Sequence, residues 1–324
     1  MLARNVKFVN FKSSINKNLI KKKIKKIKFE NFLVKYPLLQ SFTKSYKSSY
    51  NQKDIKKLKK FKNFNIIGMG GSILGTEAIY QFLGTKVKKN FNFINNLKPK
   101  LNYKKNSLNI IISKSGETLE TISNFHVLQE YNKKNQNLFI SEKKNSYLRQ
   151  IAQNLKSEIF EHKNFIGGRY SVLSEVGMLP AELMGLDPRN FRHYNILIKN
   201  KNFLKNLILN VDSTVTFIKK GYTNSIILNY DEGAENLFKW YQQLIAESLG
   251  KKSKGLLPVI STMPKDNHSL LQLYLDGPKK NFFTFFESKN LNSDKIPNES
   301  VLKQKKHLRF KKLSTIINAQ KVAT

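Results

Sequence analysis

The segment SKSGETLET at 113–121 concentrates hydroxyl groups around one lysine and one glycine. Ser113, Lys114, Ser115 and Thr118 follow the apolar run LNIII directly. Hydroxyls, backbone N–H groups and an ammonium group at the start of a helix suit a phosphate dianion. Ser and Thr are also ordinary helix caps, so the segment alone leaves both an anion site and a capped helix open.

A glycine-rich segment, GMGGSILGTEAIYQF, occupies 68–82 at a predicted strand-to-helix turn. Glycine lets the backbone approach a ligand closely, and a helix N-terminus offers N–H groups to an anion. The segment fails the dinucleotide fingerprint G-x-G-x-x-G because Ile73 stands where the last glycine belongs. It also lacks the Gly-Lys-Ser/Thr of a Walker A loop. An ordinary glycine turn and a ligand-lining turn both remain open.

Two segments offer candidate charged groups. In GGRYSVLSEVG, at 167–177, two glycines precede Arg169 and would let the backbone bend and present the guanidinium. In KWYQQLIAESLGKK, at 239–252, Gln243 and Glu247 are four residues apart and share one face of a helix. A carboxylate among apolar neighbours suits a general base. A surface ion pair and an exposed helix glutamate are the alternatives.

A histidine suited to proton transfer lies in the segment PKDNHSLLQLYLDGP at 264–278. His268 lies at the start of a predicted helix, and imidazole is the natural proton carrier near neutral pH. A purely structural histidine is the alternative.

Composition narrows the class of protein. The chain has 324 residues and no cysteine, which excludes disulfides, a thiol nucleophile and a cysteine metal site. The absence of a long apolar run or a signal-peptide pattern predicts a soluble cytoplasmic protein without a membrane segment. The net charge of +36 comes almost entirely from lysines spread along the chain. Because arginine is scarce, we expect weak attraction to polyanions but no specific nucleic-acid function.

The elements that must position these groups follow from the apolar pattern. Spacing of isoleucines in 17–29 predicts an amphipathic, lysine-rich helix. Strand-length apolar runs then alternate with helical stretches, which predicts parallel sheets. These runs lie at 64–68, 91–94, 108–113, 137–141, 225–230, 255–261 and 281–286. We predict an α/β fold with two units, each a parallel sheet sandwiched by helices. The predicted divisions are a basic helical segment at 1–60, a first unit at 61–195 and a second unit at 196–324.

Taken together and in order, the segments between about 61 and 287 resemble the glucose-6-phosphate isomerase (phosphoglucose isomerase) family. SKSGETLET is similar to the family's SKTxTTxET loop, and GMGGSILG and GGRYSVLSEVG to its glycine-rich and GGR segments. Gln243 and Glu247 match the Q-x-x-x-E-S-x-G-K pattern. DNHS matches D-Q-H-S with Asn267 in place of the usual Gln. The resemblance implies two sugar-isomerase (SIS) domains, and a homodimer whose active sites are shared between subunits.

The resemblance also implies roles for individual residues. Glu247 would shuttle a proton between C2 and C1 of the sugar, Arg169 would stabilise the cis-enediol(ate), and His268 of the partner subunit would help open the ring. The implied substrates are glucose 6-phosphate and fructose 6-phosphate. No metal or redox cofactor is implied, because proton transfer beside a carbonyl needs only a base, an acid and a charge stabiliser. The implied substrate-binding residues are Gly71, Ser72, Ser113, Lys114, Ser115, Thr118, Gly168 and Gln243.

The chain departs from the family pattern in two further places. Gly116 and Glu117 replace the family's usual residues in the phosphate loop, and Glu117 would add negative charge near a dianion unless it faces away. The family's C-terminal lysine, in a Q-x-G-V-E-x-G-K segment, has no counterpart. We therefore expect a C-terminally shortened form, with consequences for ring opening, dimer packing and stability. A non-catalytic SIS-type sugar-phosphate-binding protein and a charge-driven polyanion-binding protein, whose binding would collapse with salt, are the alternative functions.

Overall fold

The computed structural model of the chain describes residues 6–9, 15–27, 29–103, 106–131, 135–288, 293–299 and 303–324. Its α-helices are α1 (Lys17–Lys26), α2 (Phe29–Lys35), α3 (Gln52–Leu58), α4 (Leu74–Phe82), α5 (Leu119–Tyr131), α6 (Tyr147–Asn154), α7 (Glu175–Leu183), α8 (Tyr194–Lys199), α9 (Lys201–Lys219), α10 (Glu235–Leu249), α11 (Leu271–Asp276) and α12 (Leu313–Ala323). Its strands are β1 (Asn63–Gly68), β2 (Asn90–Ile94), β3 (Ser107–Ile112), β4 (Gln136–Ser141), β5 (Glu158–Glu161), β6 (Asn224–Asn229), β7 (Leu257–Thr262) and β8 (Asn281–Phe286). Three 3₁₀ helices bear on the site: Gly70–Ser72, Gly168–Leu173 and Lys265–His268.

The first sheet contains five parallel strands in the order β2-β1-β3-β4-β5. Side chains from α3, α4 and α7 pack on one face, and side chains from α5 and α6 pack on the other. Strands β1 to β4 confirm the predicted runs. Strand β5 lies outside the predicted runs, because only the two central residues of EIFE are apolar and, of its four residues, only Phe160 is buried.

The second sheet contains three parallel strands in the order β7-β6-β8. Phe238 of α10 and Phe217 of α9 contact one face, and Tyr274 of α11 and Ile317 of α12 contact the other. Parallel sheets flanked by helices confirm the predicted α/β class. The unit boundaries at 60/61 and 195/196 stay predictions.

The strand order places a switch point at the centre of the first sheet. The chain passes from β1 to β2 on one side, and then crosses to β3 on the other side of β1. In open α/β sheets such a point opens a crevice at the carboxyl ends of the strands. Gly68, the last residue of β1, is in register with Ile112, the last residue of β3. The glycine-rich turn and the SKSGETLET loop therefore leave the sheet side by side.

A ladder of asparagine side chains crosses the first sheet below this edge. The amide of Asn92 donates to Asn65, Asn65 donates to Asn109, and Asn109 donates to Asn137, at 2.9–3.1 Å. Asn65 and Asn109 are fully buried. Buried amides need hydrogen-bond partners, and the ladder supplies them inside the core. The same hydrogen bonds fix the register of the strands.

The N-terminal prediction is confirmed in part of its range. The helix predicted over 17–29 forms as α1, which begins at Lys17 and ends at Lys26, with Ile20 buried. Residue 28 lies outside the described residues. Among the residues described, no helix combines the length and the apolar character that crossing a bilayer requires.

Candidate active site

The SKSGETLET loop wraps around the buried hydroxyl of Ser113. That hydroxyl lies 2.8 Å from the Thr118 hydroxyl and 3.4 Å from the Ser115 hydroxyl, and it accepts from the Gly116 N–H at 3.1 Å. In the part of the chain that is described, the N–H groups of Lys114, Ser115 and Thr118 donate to no backbone carbonyl. Helix α5 begins next, at Leu119. Three hydroxyls, free N–H groups and a helix start are the donors that an anion cradle needs.

The lysine of this loop does not point freely into the cradle. Its Nζ donates to the carbonyl of Asn164 at 2.8 Å and lies 3.3 Å from a carboxylate oxygen of Glu142. A second lysine, Lys144, shares the same carboxylate. Lys114 therefore offers the cradle its backbone N–H and a nearby positive charge that Glu142 partly offsets.

The two unusual loop residues have a structural explanation. Gly116 has a φ of +71°, and a Cβ there would lie 2.2 Å from the hydroxyl oxygen of Ser146. Only glycine fits this position, because the start of α6 presses against it. The carboxylate of Glu117 turns outward and accepts from the N–H of Tyr147 at 2.8 Å. Glu117 thus faces the N-terminus of α6, where a negative charge is stabilised, and not the cradle.

The glycine-rich turn and the GGR segment meet backbone to backbone. A Cβ on Gly71 would lie 2.3 Å from the carbonyl carbon and oxygen of Gly168. The hydroxyl of Ser171 clamps the contact, since it reaches the carbonyls of both Gly71 and Gly168, at 2.9 and 2.7 Å. Gly71, Ser72 and Gly168 therefore lie together beside the carboxyl ends of β1 and β3.

Helix α10 brings the candidate base to the same place. The Nε of Arg169 lies 3.4 Å from a carboxylate oxygen of Glu247, and the other carboxylate oxygen accepts from the amide of Gln243 at 2.8 Å. Gln243 in turn packs on the glycine turn, because a Cβ on Gly70 would lie 2.9 Å from its Nε2. The side chain of Glu247 is 53% exposed, so it is open to a ligand, whereas Arg169 is 22% exposed.

Three neighbours hold Arg169 in this position. The indole of Trp240 donates to the Arg169 carbonyl at 3.2 Å. The guanidinium donates to the hydroxyl of Ser248 at 3.3 Å, and it lies 5.5 Å from the ring centre of Tyr170. The sequence analysis did not assign roles to Trp240 or Tyr170. The signal was present, since each is a polar aromatic residue inside a segment that carries a candidate charged group.

His268 makes no hydrogen bond or ion pair with this cluster among the described residues. It ends the 3₁₀ helix Lys265–His268 and is exposed. The predicted helix begins later, at Leu271. The structure of one chain thus brings Arg169, Gln243 and Glu247 together, but not His268.

A buried carboxyl next to the glycine turn was also missed. Glu77 of α4 is 6% exposed and accepts from the amide of Asn95, just after β2, at 2.7 Å. Burial raises the pKa of Glu77 to about 7, although Lys239 of α10 and the Asn95 hydrogen bond partly offset the shift. Its only sequence signal was a glutamate where a Walker A loop would carry serine or threonine.

Fold and site together define a class of protein. Two parallel sheets, a hydroxyl-rich cradle at a switch point and a paired arginine and glutamate describe an α/β protein built to hold a small anionic ligand. The phosphoglucose isomerase family model matches residues 4–256. The chain belongs to the phosphoglucose isomerase family.

Individual relatives agree with this assignment. The glucose-6-phosphate isomerase of Methanocaldococcus jannaschii is 36% identical over 287 residues, covering 83% of this chain and 70% of that protein. The glucose-6-phosphate isomerase of Campylobacter jejuni is 32% identical over 256 residues, covering 71% of this chain and 61% of that protein. The chain spans about two thirds of the length of these relatives.

Solved structures show the same fold. A hypothetical protein from Thermus thermophilus has a TM-score of 0.74 at 21% identity, covering 94% of this chain and 79% of that chain. A glucose-6-phosphate isomerase from Chlamydia trachomatis has a TM-score of 0.65 at 17% identity, covering 96% of this chain and 72% of that chain.

Proposed function

We propose that the chain interconverts glucose 6-phosphate and fructose 6-phosphate by proton transfer through a cis-enediol(ate). The observation that carries this proposal is the contact of Arg169, Gln243 and Glu247 beside the hydroxyl cradle. The non-catalytic alternative is not favoured, because a protein that only binds sugar phosphates would not need this charged pair.

The phosphate group of the substrate provides binding, and the carbonyl end of the sugar undergoes the reaction. The hydroxyls of Ser113, Ser115 and Thr118 and the N–H of Lys114 bind the phosphate dianion. Gly71, Ser72 and Gly168 line the sugar, where the absence of side chains lets the backbone approach it closely. Binding energy from the remote phosphate then holds the carbonyl end against the charged pair.

The chemical step needs one base and one charge stabiliser. In the open-chain aldose, the carboxylate of Glu247 removes the proton on C2, and the electron pair forms the C1–C2 double bond as charge moves to the O1 oxygen. Arg169 stabilises that charge. Glu247 returns the proton to C1, while a proton passes from O2 to O1, and the ketose forms. Gln243 orients Glu247 through the 2.8 Å hydrogen bond between them.

Ring opening is assigned to His268 of the partner subunit, in a cytoplasmic homodimer. The exposure of His268 supports a shared site, because its imidazole is accessible to a second subunit. Mixing two inactive variants tests this. If Glu247→Gln and His268→Gln chains are unfolded together and refolded, mixed dimers regain one intact site and part of the activity. A mixture as inactive as its components contradicts a shared site.

The isomerase proposal is tested by turnover of fructose 6-phosphate to glucose 6-phosphate. Glu247→Gln should lower kcat by about 10²–10⁴-fold, the usual contribution of a general base. Glu235→Gln, on the same helix and in an ion pair with Lys239, is the matched control and should change kcat less than about twofold. Equal activity in both variants would refute the role of Glu247.

A further inference from the structure

An apolar cavity lies behind the Arg169–Glu247 pair. It has a volume of about 210 Å³ and is lined only by apolar side chains and one glycine. Its walls include Ala78 and Phe82 of α4, Val172 of the 3₁₀ helix Gly168–Leu173, and Leu237 and Trp240 of α10. Phe82 is 44% exposed, whereas Ala78 and Val172 are buried. The cavity is therefore a recess in the core with an accessible rim.

The lining defines the chemistry of the ligand. An apolar cavity of about 150 Å³ stays dry and binds benzene, so a larger one accommodates a substituted single ring or a short aliphatic chain. A charged or strongly polar molecule is excluded, because its polar groups would find no partner there.

Two walls of the cavity belong to elements that hold the candidate active site. The indole of Trp240 faces the cavity and donates to the Arg169 carbonyl at 3.2 Å. Val172 lies three residues beyond Arg169 on the same 3₁₀ helix. Further along α10 from Leu237 and Trp240 lie Gln243 and Glu247. A molecule that moves the indole therefore acts on Arg169 and on α10 together.

We propose that this cavity, which we call the Trp240 cavity, binds one small neutral apolar molecule and couples it to the position of Arg169. If the cavity and the active site are coupled, the apolar molecule and the sugar phosphate must change each other's affinity by the same factor. The coupling rests on the proposed isomerase function, whereas the binding itself does not.

The chain carries a single tryptophan, which gives a direct readout. Iodobenzene, a heavy-atom quencher, is titrated against the full chain while Trp240 emission is followed. Occupation of the cavity produces saturable, one-to-one quenching. Quenching that rises without saturation, as collisions produce, overturns the proposal.

Two variants locate the binding. Ala78→Leu fills the cavity and should raise the half-saturating concentration by about tenfold or more, because the added methyl groups take the volume of the ring. Phe82→Ala removes an exposed wall, is expected to fold, and should weaken binding by a few-fold through lost contact area. Unchanged quenching in both variants overturns the location.

A second copy of the chain is the competing occupant. In that case saturable quenching would be lost at high protein concentration and restored by dilution, which would overturn the proposal. Fructose 6-phosphate should shift the half-saturating concentration of iodobenzene by at least about twofold. If the chain turns over substrate and the shift is absent, the coupling is wrong. If the chain turns over no substrate, the proposed function fails, and the quenching still decides the binding site.

Discussion

Replacing Glu77 by glutamine should make the protein more stable at alkaline pH. The folded environment raises the pKa of Glu77 to about 7, from 4.5, chiefly because the carboxyl is buried. One pKa unit corresponds to about 1.4 kcal/mol, so holding the ionised carboxylate in the folded protein costs about 3 kcal/mol at pH 8. Glutamine keeps an oxygen that can accept from Asn95 and removes the charge.

The sign follows from proton binding. Between pH 4.5 and 7, folded Glu77 keeps a proton that the unfolded chain has released, so the free energy of unfolding falls as the pH rises. The stabilisation from this protonated acid is complete below about pH 4.5 and is lost as the pH passes 7. Glu77→Gln removes this dependence. The variant should match the parent protein at pH 4.5 and exceed its free energy of unfolding by up to about 3 kcal/mol at pH 8.

Urea unfolding, followed by Trp240 fluorescence and circular dichroism at pH 5, 6, 7 and 8, measures the difference. Subtracting the free energy of unfolding of the parent protein at each pH cancels the contribution of the other titrating groups. Glu158→Gln, at an exposed position on β5, serves as the control and should change stability by less than about 0.5 kcal/mol at every pH. A Glu77→Gln variant whose advantage is absent at pH 8, or does not grow with pH, would refute the reasoning.

Three further substitutions test the geometry. Gly71→Ala should lower the free energy of unfolding by about 1–3 kcal/mol and remove most of the turnover, because its Cβ would overlap the Gly168 carbonyl. Gly84→Ala is the control: a Cβ there meets nothing within 4 Å, so stability and turnover should both stay unchanged. Asn109→Ala breaks the asparagine ladder and should lower the free energy of unfolding in urea by about 2–4 kcal/mol; a loss near zero would mean that the ladder does not stabilise the sheet. Trp240→Phe keeps the apolar ring, loses the hydrogen bond to the Arg169 carbonyl, and should lower kcat by about tenfold with little effect on KM; a change in KM alone would contradict a positioning role.

The sequence predicted the sheets and most of the site because the relevant signals are local. Each apolar run has strand length, and the turns after β1 and β3 carry their own glycines and hydroxyls. Parallel pairing then brings those turns together without further information. The i, i+4 spacing likewise placed Gln243 beside Glu247.

The remaining features depend on contacts between distant segments. The strand asparagines show no pattern along the chain, and only the register of β1, β3 and β4 reveals that they form a ladder. The charge of Glu117 raised a conflict with a bound dianion that only the position of α6 resolves. The partner of Lys114, Glu142, lies on the loop after the next strand, so spacing along the chain gave no sign of it.

The central claim is that Glu247 moves a proton between C2 and C1. The most direct measurement is deuterium incorporation, by NMR, when fructose 6-phosphate is incubated with the chain in D₂O. Proton transfer by Glu247 should place deuterium at C2 of glucose 6-phosphate and at C1 of recovered fructose 6-phosphate, and Glu247→Gln should lose both. Product that forms with no deuterium at C2, however long the incubation, would mean direct hydride transfer and would contradict a proton-transfer role for Glu247.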